Sequence, residues 1–398
     1  MEQANLLQAL IGYEPIIDRK RTVIALRVRL KASGVPPAAL SSLYAEMAHD
    51  WPAQSHTILV SASEALLDDG LAGVTPNANV WLEIPGGAMS DTYVQTLVAE
   101  LHRKGFSLVL RGRTESPLPP ALIPAFRMSI IHVAEDRRLN WMDKGAPSGV
   151  RRTIGYAQDG VTTIELMERC FNTGAHAVLG WPMEDAITYQ DRPSSAPDYM
   201  AIMQLITMAD RGEDPPKMEA VIRRDPAIAY RLLRYINSVG FGLTVQVQSF
   251  RHAIMMLGYQ KLKRWLALLL ATSSKDANMR PVMLASFRRG LFLEQLLGES
   301  HDETARDEVF ILGVFSLLDK LMKKPFDELL ANLAVPESVY ETLVDRTGQY
   351  VPYLRIVEAI EQGPDPALTG ALDDCLMTLA DCNRAVLRTL QAPDLHNG

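Results

Sequence analysis

Few side chains in this sequence are spaced for chemistry. The cysteines Cys170, Cys375 and Cys382 include no CxxC pair, so their spacing offers no zinc site. Cys375 and Cys382 are expected on one helix face as small buried apolar residues. His301-Asp302 has the composition of a metal-ligating dyad, but it falls in an interhelical loop where Asp302 suits the start of the next helix. Gly86-Gly87 follows a strand, yet no GxGxxG or GxxxxGK[ST] surrounds it, and it reads as a turn rather than a phosphate cradle. Lys261, Lys263 and Arg264 beside Trp265 have the composition of a nucleic-acid contact and read more simply as a solvated helix face with one buried aromatic. A net charge of -7 also argues against a general nucleic-acid binder.

These residues must be positioned by two halves of different pattern. At 398 residues, 47% hydrophobic and 22% charged, the chain suits two globular domains. In the first half, strand-like runs alternate with helical ones: Thr22–Leu30, Thr57–Ala62, Val80–Ile84, Phe106–Leu110, Met128–Val133, a region near Ile154, and Ala177–Leu179. About seven strand–helix units predict an α/β barrel, TIM-like but imperfect. The Pro- and Ser-rich stretch 191–198 reads as a linker between a domain at 1–190 and an all-helical domain at 199–392. In the latter, Asp198 is an N-cap candidate, Pro215-Pro216 and Asp225-Pro226 open helices, Gly240-Phe241-Gly242 turns the chain, and Gly258 interrupts a helix. Val309–Met322 is apolar nearly all round and is expected to be one buried central helix. The chain shows no signal peptide and no eighteen-residue apolar run, so a cytoplasmic protein without membrane contact is expected.

Several motifs, in their order along the chain, carry a family resemblance. These are Pro15-Ile16-Ile17-Asp18-Arg19, Leu82-Glu83-Ile84-Pro85, Val247 through Ile254 with Leu257-Gly258, and Leu312-Gly313-Val314-Phe315-Ser316-Leu317-Leu318-Asp319. The first half resembles a degenerate EAL domain, the barrel that hydrolyses cyclic di-GMP. The second resembles an HDOD domain, a relative of HD-type phosphohydrolases without their metal ligands. An active EAL barrel would use two divalent cations held mainly by carboxylates at the strand ends. The resemblance places the family's ligand and catalytic positions on Arg27, Ser61, Glu83, Arg111, Gly112, Ile130, Gln158 and Leu179. Of the carboxylates only Glu83 is kept. In the helical half the His-Asp pair falls on Ser316 and Leu317.

The resemblance therefore implies a bacterial EAL–HDOD signalling protein whose former metal positions are degenerate. No enzymatic activity, metal or cofactor is expected. The leading expectation is a scaffold acting on other signalling proteins in motility, biofilm or virulence control, with a homodimer implied by the family and cyclic di-GMP argued against as a partner. The alternative is a non-hydrolysing sensor of cyclic di-GMP or another small anion. At Arg27, Glu83 and Arg111 three readings stay open: an ion pair filling the metal space, arginines pointing to solvent, or an anion site.

Overall fold

The computed structural model describes residues 10–31, 39–53, 55–61, 67, 69–136, 154–186, 188, 199–222, 228, 250–274, 276–298, 303–331, 333, 335–362 and 367–392. Eight strands close into one barrel in chain order: β1 (Leu10–Asp18), β2 (Val23–Lys31), β3 (Thr57–Ser61), β4 (Val80–Pro85), β5 (Ser107–Arg111), β6 (Phe126–His132), β7 (Tyr156–Asp159) and β8 (Ala177–Leu179). The expected α/β barrel is present, with one strand more than the periodicity indicated. That strand is β1, whose alternation is broken by Pro15 and by the adjacent Ile16 and Ile17, where its register against β2 shifts.

β2 to β8 run parallel, whereas β1 is antiparallel to both β2 and β8. A tight turn explains the reversal. The Asp18 carboxylate accepts from the N–H groups of Lys20 and Thr22 at 2.8 and 2.9 Å, and Arg21 takes the left-handed conformation at φ 62°. Helices α1 (Ala39–Asp50), α2 (Thr92–Arg103) and α3 (Ile164–Asn172) flank the barrel strands in sequence. Caps fix two of the helix starts. Asp91 accepts from Tyr93 N–H before α2, and Thr163 accepts from Leu166 N–H before α3. Inside, Ile16, Ala25, Leu59, Val109, Ile130, Ala157, Ala177 and Leu179 form an apolar layer, with Trp81 and Met128 packed against it.

The chain divides into two compact units, Met1–Tyr189 with Arg355–Asp394, and Gln190–Leu354 with Leu395–Gly398. The C-terminal boundary differs from the expected helical domain of 199–392. The reason lies in α14 (Leu379–Gln391), an amphipathic helix that buries Cys382, Asn383, Ala385, Val386, Thr389 and Leu390. Its Asn383 Oδ1 accepts from Ile11 N–H at 3.0 Å, and its Gln391 carbonyl accepts from the Ser55 hydroxyl at 2.6 Å. Cys375 and Cys382 do not share a helix. Cys375 follows α13 (Ala367–Asp374), and a capping box between Thr378 and Asp381 opens α14.

The second unit is helical. It contains α4 (Tyr199–Asp210), α5 (Pro215–Ile222), α6 (Phe250–Ala271), α7 (Arg280–Leu297), α8 (Glu303–Phe315), α9 (Leu318–Met322), α10 (Phe326–Leu330) and α11 (Glu337–Tyr340). Gly258 kinks α6 at φ 70°. α7 and α8 cross backbone to backbone, since a Cβ on Gly313 would lie 2.5 Å from Gly290 N. Residues Val309 to Phe315 are buried as expected of a central helix, but the helix is not continuous to Met322. It ends at Phe315, where the Ser316 hydroxyl donates back to Gly313 O at 2.7 Å and Leu317 leaves helical geometry at φ -121°. The linker 191–198, Asp225-Pro226, Gly240-Phe241-Gly242, Val247–Ser249 and His301-Asp302 lie outside the described residues. No described helix is long and apolar enough to cross a membrane.

Candidate functional site at the barrel mouth

Side chains alternate across a strand, so the residues two positions beyond the apolar layer form the next ring inside the barrel. At the C-terminal ends of the parallel strands this ring comprises Arg27 above Ala25, Ser61 above Leu59, Glu83 above Trp81, Arg111 above Val109, His132 above Ile130 and Asp159 above Ala157. On β1, which runs the other way, Glu14 takes the corresponding place above Ile16.

Arg27 is the hub of this ring and is 3% exposed. Its Nη1 lies 3.1 Å from Glu14 Oε1 and 2.7 Å from Asp159 Oδ2, and its Nη2 donates to Glu83 Oε1 at 2.9 Å. Its Nε lies 2.7 Å from Glu83 Oε2. Fully buried Glu83 also accepts from the Ser61 hydroxyl at 2.7 Å and pairs with Arg111 Nε at 2.7 Å. Arg29 reaches Glu14 Oε2 at 3.2 Å. Three carboxylates thus meet three guanidiniums, with Arg27, Glu14 and Glu83 buried and Arg29, Arg111 and Asp159 partly accessible. The ion-pair reading of Arg27, Glu83 and Arg111 is the arrangement the structure holds, and it takes in Glu14, Asp159 and Arg29 as well.

The electrostatics follow from burial. Desolvation works against the charge on Arg27 but is outweighed by Glu83, Asp159 and Glu14, which hold the guanidinium protonated. Burial raises the Glu14 carboxyl above its ordinary range, against the pull of Arg27 and Arg29. The most accessible ion-paired members are Arg29 and Arg111, whose side chains are 27% and 38% accessible.

The other positions carried over from the motifs fall elsewhere. Ile130 and Leu179 belong to the apolar layer one level down. Gly112 turns the chain out of β5 at φ 77°, its N–H donating to Ile130 O at 2.7 Å. Gln158 faces out of the barrel and donates to Asp136 Oδ2 at 2.8 Å. Its neighbour Asp159 is the β7 residue that enters the ring. Asp159 and Glu14 escaped the motif reading because one lies a single residue from the assigned position and the other sits on the unrecognised strand. His132, at the mouth on β6 and in register with Asp159, was missed as well. Its Nδ1 accepts from Ala134 N–H at 3.2 Å. A two-residue count along β6, whose strand the sequence does show, would have found His132.

In the helical unit an arginine again meets the position in question. Arg289 Nη1 donates to the buried Ser316 hydroxyl at 2.9 Å, while Leu317 is buried and apolar. The Lys261–Trp265 cluster is ion-paired: Lys261 to Glu303, Lys263 to Asp210, and Arg264 to Glu294 and Asp307, with Arg264 3.8 Å from the Phe310 ring centroid.

The residues at the mouth do not fit a pair of divalent cations. Glu14, Glu83 and Asp159 already surround the fixed positive charge of Arg27. Among the described residues no three His, Cys, Asp or Glu side chains are grouped to hold a metal ion.

Comparison with known proteins places this geometry. Residues 193–330 match the HDOD domain family. The chain is 24% identical over 269 residues to a protein named cyclic di-GMP phosphodiesterase CdgJ, from Vibrio cholerae, covering 67% of this chain and 62% of that one. It is 26% identical over 144 residues to YuxH of Bacillus subtilis, covering 35% of each. The chain thus spans less than two thirds of the length of either relative. Among solved structures, it resembles a PaMucR phosphodiesterase in complex with c-di-GMP at 18% identity and TM-score 0.33, covering 44% of this chain and 94% of that one. The EAL domain of Mycobacterium smegmatis DcpA gives 18% and 0.33, covering 43% and 90%. The residues that match the HDOD family thus follow an eight-stranded barrel in the chain, the order of barrel half and helical half expected from the motifs.

Two expectations are corrected. The expected absence of enzymatic activity is overturned by the similarity to CdgJ, a relative named as a phosphodiesterase and matched over two thirds of this chain. The argument against cyclic di-GMP as a partner falls with it. That argument rested on lost metal ligands, and metal fit does not decide whether a mouth recognises a phosphodiester.

Proposed function

We propose that this chain is a bacterial signalling protein that recognises cyclic di-GMP at the barrel mouth and docks other signalling proteins through its HDOD half, within motility, biofilm or virulence control. The observation that carries the reading is the extended similarity to CdgJ together with a mouth whose most accessible ion-paired charges, Arg29 and Arg111, are cationic. A guanidinium at a strand end supplies the planar donor pair that a phosphodiester accepts. Docking by the helical half is supported by Met200, Met255 and Met256, which stay exposed on α4 and α6, since methionine suits adaptable contact surfaces.

Calorimetry on the full chain with cyclic di-GMP tests the proposal. Saturable binding is expected, and Arg111→Ala should weaken it roughly tenfold to a hundredfold, the worth of one charge-assisted hydrogen bond. Chromatography of the same mixtures with added magnesium or manganese reads any linear dinucleotide released. A wild-type chain that gives no saturable heat refutes the ligand assignment.

A further inference from the structure

β1 outruns its own barrel. It pairs with β2 from Leu10 to Ile17 but with β8 only from Ile16 to Asp18. Residues 10–14, with their partners 27–31, therefore form an arm whose outer β1 edge is not paired to β8, while β3 backs β2 as far as Arg29. That β1 edge lacks the support of a neighbouring strand, and its N–H groups need acceptors.

The C-terminal segment supplies both. Asn383 on α14 accepts the Ile11 N–H at 3.0 Å in a buried bond. The carbonyl of Ile360, in α12 (Val351–Gln362), lies 2.8 Å from where a Gly12 Cβ would be. Gly12 shares its strand face with Glu14 and Ile16, the face turned to the barrel interior. The end of α12 thus stands beside the polar ring on the β1 side. Glu14 and Arg27 are register partners within this arm. The boundary between the two compact units falls inside α12, between Leu354 and Arg355.

We propose that α12 and α14 form a strap that holds the β1–β2 arm in place, so that releasing the strap loosens Glu14 from Arg27 and opens the mouth. The strap is also the covalent continuation of the chain out of the helical unit. The consequence for ligand rests on the proposed function; the strap itself does not.

Hydrogen–deuterium exchange on the full-length protein tests it with two variants. Asn383→Ala deletes the edge acceptor, and Gly12→Ala drives a methyl group into the Ile360 carbonyl. Each should speed exchange in peptides covering 10–18 and 23–31 by about tenfold, the size of one lost hydrogen bond, with β4 to β6 unchanged. If Gly12→Ala fails to fold, Asn383→Ala still decides. An arm that exchanges as in wild type, or acceleration spread evenly over all strands, overturns the strap. Cyclic di-GMP titration of the same variants should show a several-fold change in affinity. A loosened arm with unchanged affinity overturns the gating of the mouth. A wild type that binds no cyclic di-GMP refutes the ligand assignment alone, because exchange still reads the strap.

Discussion

Arg27 is, at the residue scale, a counter-ion built into the chain. Its guanidinium touches Glu14, Glu83 and Asp159 at 2.7 to 3.1 Å, and with Arg29 and Arg111 it compensates the burial of Glu14 and Glu83. A buried ion network of this kind adds little net stability, because desolvating the charges offsets their attraction, but losing one partner strands the others. Glu83→Gln is therefore expected to lower the stability of the barrel by about 3–5 kcal/mol in chemical denaturation. The double variant Arg27→Met with Glu83→Gln should lose less than the sum of the two single variants. Additive losses in that double-mutant cycle would show that the two side chains do not act as a pair.

At the scale of elements, two close approaches decide the packing. In the helical unit, α7 and α8 touch through Gly290 and Gly313, and a methyl group at 313 would meet Arg289 carbonyl atoms at 2.6 Å as well as Gly290 N. Backbone cannot yield as a side-chain end can. Gly313→Ala is expected to cost about 1–3 kcal/mol or more of the helical unit's stability, read as an earlier unfolding transition by calorimetry. The same crossing sets Arg289 against Ser316, so a position that motif reading treated as an isolated loss is part of the interlock between two helices. On the barrel, the β1–β2 turn at Asp18 is short enough to force an antiparallel pair, and the strand it creates brings Glu14 opposite Arg27.

For the molecule as a whole, the cysteines report on integrity. Cys170 and Cys382 are fully buried, and burial pushes both thiols up to about 12, whereas Cys375 is partly exposed. With an aromatic disulfide reagent at pH 8, one thiol should react promptly and two only as the protein unfolds. Prompt reaction of all three would contradict the packing of α3 and α14. The same shifts fix a sign. A thiol whose folded value is raised favours the folded state below the unfolded value of about 9 and withdraws that contribution as pH climbs towards 12. Stability should therefore fall above pH 9 by up to ~1.4 kcal/mol per pH unit for each buried thiol, and replacing Cys382 with Ala should flatten that slope.

The sequence by itself determined the class of both halves. Period-two runs separated by helical stretches suffice for a barrel, since each parallel strand must be followed by a crossover, and the apolar run around Val309 suffices for a buried helix. It also carried Arg27, Ser61, Glu83 and Arg111 to one end of the barrel, because strand ends of a closed sheet converge. Tertiary structure decided the rest. β1 was hidden because Pro15 breaks its alternation and because its partner is set by a turn rather than by periodicity. Gln158 and Asp159 could be told apart only by register, where a slip of one residue exchanges the inside of a barrel for its outside. The attachment of α14 to β1 joins Ile11 to Asn383 across 372 positions of chain. Local pattern holds no information about contacts that distant, because what selects them is the buried N–H of a strand edge that exists only once the barrel has closed.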